Sequence, residues 1–429
     1  MQTDRTVMQQ AKTIQDIIAL KNNTHLNRET VNLFYVKPPT PIANKIPRYF
    51  QAMHDHPQKM LLLGPRGSGK RTLLCYLAQN QLERFHCISI HLLSTLNPMD
   101  ISQVDILFCL LLRLIDDVNQ TQKRLDPSVL NNIYQQLHDE QLIERVHFKK
   151  SEAGEAEGTK IGFVQSFIRA IVEALSTSGY EIRNRIRDAF EPRIRLFIKS
   201  AQGLIDYINR THQPDGRVLL IMFDDLGQFD QNTAELFFQN HLPLTERLNA
   251  HIIYTMPDFI RFSSFFPTVI QRLDRVEYLR ITPLVNQDQT SFNRGKQYMK
   301  EVICKRIDSQ LLSEDILDGI ITASGGMLND AFYLLFETAV YTLTEMPDSH
   351  VLQQDAFEKA MARFIRQKFQ QLNYQQASLL KNLDFSNTAW VGNSDISGLI
   401  MKNFLVEYEN DSNVWFDTHP LVKRGVCTV

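Results

Sequence analysis

The sequence has no basic excess, no paired cysteines and no long apolar run, and each absence removes a class of protein. Its 46 Lys and Arg face 48 Asp and Glu, a formal net charge of -2. The overall balance therefore demands no nucleic-acid partner, although a local basic face stays open. Cys75, Cys87, Cys109, Cys304 and Cys427 are scattered and odd in number, with no CxxC pair. This is the pattern of a reducing compartment rather than of a disulfide scaffold. His86, His91, His251 and His419 lack metal-ligand spacing, and no serine or cysteine nucleophile carries a recognisable partner. Apolar runs are short and interrupted, and Met1 to Asp16 is polar. Neither a signal peptide nor a membrane-spanning helix is expected, and a cytoplasmic location is the default.

What is present is ordinary globular composition, 43% hydrophobic and 22% charged over 429 residues, a length that fits two to four domains. One stretch stands out. The apolar run Met60-Leu61-Leu62-Leu63 leads into Gly64-Pro65-Arg66-Gly67-Ser68-Gly69-Lys70-Arg71-Thr72 and then a helical pattern. Strand, glycine-rich turn, lysine and helix make a phosphate-binding loop. The glycines let the backbone wrap a polyphosphate, whose charge is met by N–H groups and the helix N-terminus. Lys70 would reach the β- and γ-phosphates. The residue after that lysine is usually a hydroxyl that faces magnesium. Here it is Arg71, followed by Thr72, so nucleotide binding is expected and hydrolysis is open.

A second apolar strand, Val218 to Phe223, ends in Asp224 and Asp225. The first carboxylate would hold magnesium and the second would polarise an attacking water; alternatively, both acids merely cap the following helix. Asp225 is one methylene shorter than the glutamate common at that place. Thr255 closes a third strand, His251 to Pro257, and would orient water if that strand lies between the other two; its alternative role is β-propensity alone. Arg272, Arg275 and Arg280 include a candidate arginine finger, with surface solvation as the competing reading. The arginines from Arg183 to Arg195 form either a solvated face or a contact for nucleic acid or a partner.

Apolar runs alternating with helices argue for a parallel sheet covered on both faces. The expected layout is an N-terminal helix at 1–27, a P-loop core at 28–285 with a helical insertion at about 100–215, a helical lid at 286–348 and a terminal unit at 349–429. Within the insertion, Ser151 to Gly158 reads as a mobile loop, and helix is expected on either side of Pro192. Pro41 suits a helix start before Ile42, with Pro47 limiting or restarting that helix. In the terminal unit, helices followed by the hairpin Phe404–Glu409 and Val414–Asp417 have the layout of a winged helix. Glu407, Glu409, Asp411 and Asp417 crowd that hairpin, an acidic surface that would repel phosphate and favour protein over DNA.

Together, Gly64 to Thr72, the Asp224-Asp225 strand and Ser324-Gly325-Gly326 resemble the AAA+ and STAND branch of P-loop ATPases, near its origin-recognition-like and KAP-like groups. The resemblance spans roughly residues 28 to 345. It implies ATP and Mg2+ as cofactors, bound by Gly64, Pro65, Arg66, Gly67, Ser68, Gly69, Lys70, Arg71 and Thr72. It further implies Asp224 and Thr72 on the metal, Asp225 and Thr255 as catalytic residues, and Tyr35 to Pro41 near adenine. Asn329 stands where the lid of such proteins often carries an arginine. With Arg71, this points to slow hydrolysis or an ATP-held switch, coupled to self-association or a partner protein, with DNA possible and no membrane. Defence signalling is one role that fits. The alternative is a DNA-binding or structural subunit with a vestigial P-loop.

Overall fold

Five strands, including the three apolar runs above, pair side by side in one parallel sheet. They are β1 (Lys59–Leu63), β2 (Phe85–Ile90), β3 (Val218–Phe223), β4 (His251–Met256) and β5 (Arg275–Tyr278), in the order β2-β3-β4-β1-β5. The computed structural model describes residues 9–20, 26–97, 100–120, 131, 133, 160–383, 390, 392–411 and 413–426; Ser151 to Gly158 lies outside the described residues.

The alternation of side chains to two covered faces explains why the central strands β1, β3 and β4 are mostly apolar and buried. Leu61, Leu63, Ile252 and Tyr254 face a core built with Gln103–Gln120, Lys160–Thr177 and Ile194–His212. Met60, Leu62 and Ile253 face the opposite core, built with Ile42–Ala52 and Lys70–Asn80. Full burial of each such side chain is worth about 1.5–3 kcal/mol, so a polar residue on either face of the central strands would be costly. The chain is therefore an α/β protein with a parallel sheet flanked by helices.

Two helical expectations change. Ile42–Ala52 runs through Pro47 as a single helix. A proline there removes one N–H and costs about 3 kcal/mol, but the ring is buried with Ile46 and Phe50 in the sheet-facing core. The described N-terminal helix is only Ile14–Ala19, held at its start by the reciprocal Thr13 and Asp16 capping bonds. It packs into the lid core through Ile14 and Ile17. Helix on either side of Pro192 is present, as Tyr180–Phe190 and Ile194–His212.

The lid contains Asn293–Cys304, Glu314–Ser324 and Leu328–Glu345. Gln354–Phe369 joins that core through Phe357 and Phe364, so this helix packs with the lid although the sequence places it in the terminal unit. Tyr374–Asn382 and Ser394–Met401 follow, then an antiparallel hairpin of β6 (Leu405–Glu409) and β7 (Val414–Thr418), and the closing helix Pro420–Val426. Among the described residues no helix is long and apolar enough to cross a membrane.

Candidate nucleotide site

The turn after β1 and the first turn of Lys70–Asn80 form one wall of a cavity of about 490 Å3, within the size range of small-molecule sites. Gly67 and Gly69 hold φ of +80° and +91°, left-handed values that a side chain would strain. A Cβ on Gly67 would also strike the side chain of Asn329, so the lid rests directly on the loop. Lys70 is buried and turned back, its Nζ donating to the carbonyls of Gly64 at 2.5 Å and Pro65 at 2.9 Å. Burial lowers its pKa to about 8, against the opposing charge of Asp258. A phosphate entering the loop would supply better acceptors for the same ammonium group.

β4 lies between β1 and β3, with Leu62 opposite Thr255 and Phe223 opposite Tyr254. This topology brings the loop and the Asp224-Asp225 strand end to the same edge of the sheet. Asp224 Oδ1 lies 2.5 Å from His91 Nδ1, and Asp224 Oδ2 lies 3.8 Å from Arg71 Nε. Asp225 Oδ2 accepts from the Leu93 N–H at 2.6 Å, while its Oδ1 is buried without a partner. Burial, reinforced by the Asp224 charge, raises the Asp225 pKa to about 6. Thr255 is fully buried and its hydroxyl donates to the Phe223 carbonyl at 3.0 Å. Its strand has the expected position, but its side chain is not part of the cavity wall.

Gly67, Ser68, Gly69, Lys70, Arg71 and Thr72 all line the cavity, together with Asp224 and Asp225. Tyr35, Val36 and Pro38 close another side, and Tyr35 stacks on Tyr76 with ring centroids 3.9 Å apart. Arg66 lines the cavity while donating to the Gln228 and Phe229 carbonyls at 2.8 and 2.9 Å. Arg306 was not evident from the sequence. It enters the wall just past Asn293–Cys304, buried, donating to the Val302 carbonyl at 2.9 Å. Burial lowers its pKa to about 10.

A magnesium site of the usual kind does not fit these residues as they stand. Asp224 already faces an imidazole and a guanidinium, the free Asp225 oxygen is sealed, and Arg71 takes the place of the expected hydroxyl. Thr72 remains as the neighbouring hydroxyl on the cavity wall.

Several other candidates are tied down elsewhere, while the finger candidate Arg272 is exposed. Arg280 bonds Glu407 at 2.7 Å and Arg275 bonds Glu277 at 2.8 Å, so neither projects as a free finger. Arg183 and Arg187 bond Asp100, and Arg187 also bonds the buried Asp105 at 2.6 Å. These two arginines brace the insertion; Arg185 and Arg195 remain exposed. The hairpin acids also have cations from this chain: Glu407 with Arg261 and Arg280, Asp411 with Arg294, and Asp417 with Lys423. The acidic hairpin is thus largely a docking surface for the chain's own arginines. Away from the cavity, His86, Asp117 and His212 gather from distant segments, but the two rings stack face to face at 4.0 Å.

No protein-family model and no curated protein matches the chain. Among solved structures, it is similar to Cdc6p from Pyrobaculum aerophilum at 10% identity, covering 92% of this chain and 94% of that one, with a TM-score of 0.40. It is also similar to the RuvB Holliday junction branch migration motor of Thermotoga maritima at 13% identity, covering 97% of each chain, with a TM-score of 0.35.

Proposed function

We propose that this chain is an AAA+/STAND-like P-loop protein that binds ATP and works as a slow, nucleotide-held switch. The observation that carries this reading is the loop from Gly64 to Thr72, with its two left-handed glycines and buried Lys70, facing Asp224 and Asp225 across β4 and covered by Asn329 of the lid. These parts supply what a triphosphate requires: N–H donors, a helix N-terminus and a desolvated cation. Fast hydrolysis is disfavoured by the engaged Asp224, the sealed Asp225 and the inward-facing Thr255 hydroxyl. Binding would act by favouring one arrangement of core and lid over another.

The C-terminal unit, read as a winged helix, would be the element whose docking changes, and its partner a protein or a second copy of this chain. Protein contact is favoured over DNA because Arg183 and Arg187 are tied to Asp100. A role in defence signalling is compatible with such a switch and rests on analogy alone. The test is ATP binding and turnover by the full chain beside Lys70→Ala. Binding that the substitution abolishes, with turnover below about 0.1 per second, is the expected result. No binding by the unaltered chain would leave the vestigial-loop reading in its place.

A further inference from the structure

Arg71, His91 and Asp224 form a closed ring at the edge of the nucleotide cavity. His91 Nδ1 meets Asp224 Oδ1 at 2.5 Å, Arg71 Nε approaches Asp224 Oδ2 at 3.8 Å, and Arg71 Nη2 lies 3.4 Å from His91 Nε2. One assignment of protons satisfies all three contacts. Neutral His91, protonated on Nδ1, donates to the carboxylate and leaves Nε2 to accept from the guanidinium. The carboxylate that would face a metal is thereby matched by a cation from the same chain.

The cavity wall carries the same bias. Arg66, Lys70, Arg71 and Arg306 line it against Asp224 and Asp225. Arg71 is about one-third exposed, at 34%, and with Asp224 it also borders a second cavity of about 530 Å3. Its guanidinium therefore has room to turn from the carboxylate towards a bound phosphate, as a planar multi-donor group suits. A divalent ion approaching Asp224 would instead meet a like charge already in place.

We propose that Arg71 replaces the divalent cation as counter-charge in this site, so that the protein binds a nucleoside triphosphate as the free polyanion. The proposal rests on the nucleotide-binding reading of the loop. Asp224 and His91 then act as the resting partner of Arg71, holding its charge beside the loop until phosphate arrives. Arg71 becomes the specificity residue for metal-free nucleotide.

Isothermal titration of the full chain with ATP, in excess magnesium and in excess EDTA, tests this. The unaltered chain should bind in EDTA with a Kd within about threefold of that in magnesium. Arg71→Thr, which restores the hydroxyl and removes the charge, should lose about tenfold or more in EDTA and regain affinity with magnesium. Arg71→Lys, which keeps the charge but not the planar fork, should lose less in EDTA than Arg71→Thr does, and serves if the threonine variant does not fold. Binding by the unaltered chain that weakens more than about tenfold on chelation overturns the proposal and leaves the nucleotide reading standing. No binding in either condition overturns the nucleotide reading itself, and this proposal with it.

Discussion

Glu407→Gln should undock the hairpin from the core. The Glu407 carboxylate receives Arg261 Nη1 at 2.9 Å and Arg280 Nε at 2.7 Å. Its side chain is 6% exposed, against 13% for Arg261 and 19% for Arg280. Glutamine keeps the shape but leaves two half-buried guanidinium groups facing a neutral amide. Removing one partner of a buried pair costs about 3–5 kcal/mol. Arg280 retains Glu409 at 3.5 Å, which favours the lower end, about 3 kcal/mol. The assay is built into the sequence: the only two tryptophans, Trp390 and Trp415, both lie in the C-terminal unit and are buried. Trp415 sits on β7 opposite Tyr408, and Trp390 packs on Phe416 with ring centroids 4.8 Å apart. Tryptophan emission therefore reports on this unit and on its contact with Phe262 of the core. With a urea slope of about 1–3 kcal/mol/M, the midpoint should fall by about 1 M or more. A fall of less than about 0.3 M would mean that water compensates the lost charge, and that Glu407 does not hold the hairpin.

Asp225→Asn should stabilise the protein in a pH-dependent way. Burial raises the Asp225 pKa from 3.8 to about 6, so the stability its proton contributes is full below about pH 4 and is lost as pH rises through about 6. That rise corresponds to about 3 kcal/mol, and asparagine keeps an oxygen for the Leu93 N–H. The variant should melt higher than the unaltered chain at about pH 8 and show no gain at about pH 4; an equal gain at both would refute the burial argument. Separately, ATP should change the tryptophan emission of the unaltered chain at concentrations that fill the site. Binding with silent emission would sink the coupling of nucleotide to the C-terminal unit.

The sheet was legible because strands buried along their whole length, as β1 and β4 are, must be mostly apolar. The P-loop was legible because its glycines and lysine are adjacent in sequence. Pairings across long separations were not. Nothing in the sequence joins Glu407 to Arg280, so the hairpin acids read as a solvent-facing charge instead of a dock. His91 showed no metal spacing, and its role with Asp224 appears only when β2 and β3 lie side by side. Thr255 illustrates a finer limit. Its strand was placed correctly, but the direction of its hydroxyl depends on the neighbouring Phe223 carbonyl. Arg71 was legible as a departure from pattern, while its counterpart was not.

The segment from Gly325 to Asp330 touches three parts of the molecule at once, and the strengths of these contacts decide what moves. Asn329 occupies the space beside Gly67, so the Gly64–Thr72 loop cannot change shape there without displacing the Leu328–Glu345 helix. The next residue, Asp330, is held by Lys368 at 2.8 Å and His419 at 3.0 Å, with side chains at most 12% exposed. Gly325, with φ of +60°, lies so close to Pro420 that a Cβ would collide with it. Breaking the buried charge cluster would cost about 3–5 kcal/mol, so the lid and the C-terminal unit should move as one body. Their joint contact with the core combines buried apolar packing, with Ile396, Leu399, Ile400 and Phe404 in the sheet core, and a 2.7 Å bond from the Gly392 N–H to the Phe262 carbonyl. It also includes a 3.4 Å bond from Asn403 Nδ2 to the Arg66 carbonyl, and backbone bonds of 3.3 and 3.4 Å between Ile281 and the Glu407 and Glu409 positions. Those longer bonds lie at the weak end of hydrogen-bond geometry. The Glu407 pairs add a buried electrostatic restraint to that packing. A ligand that pushes on Asn329 therefore works against this whole interface, of which the hairpin dock is one part.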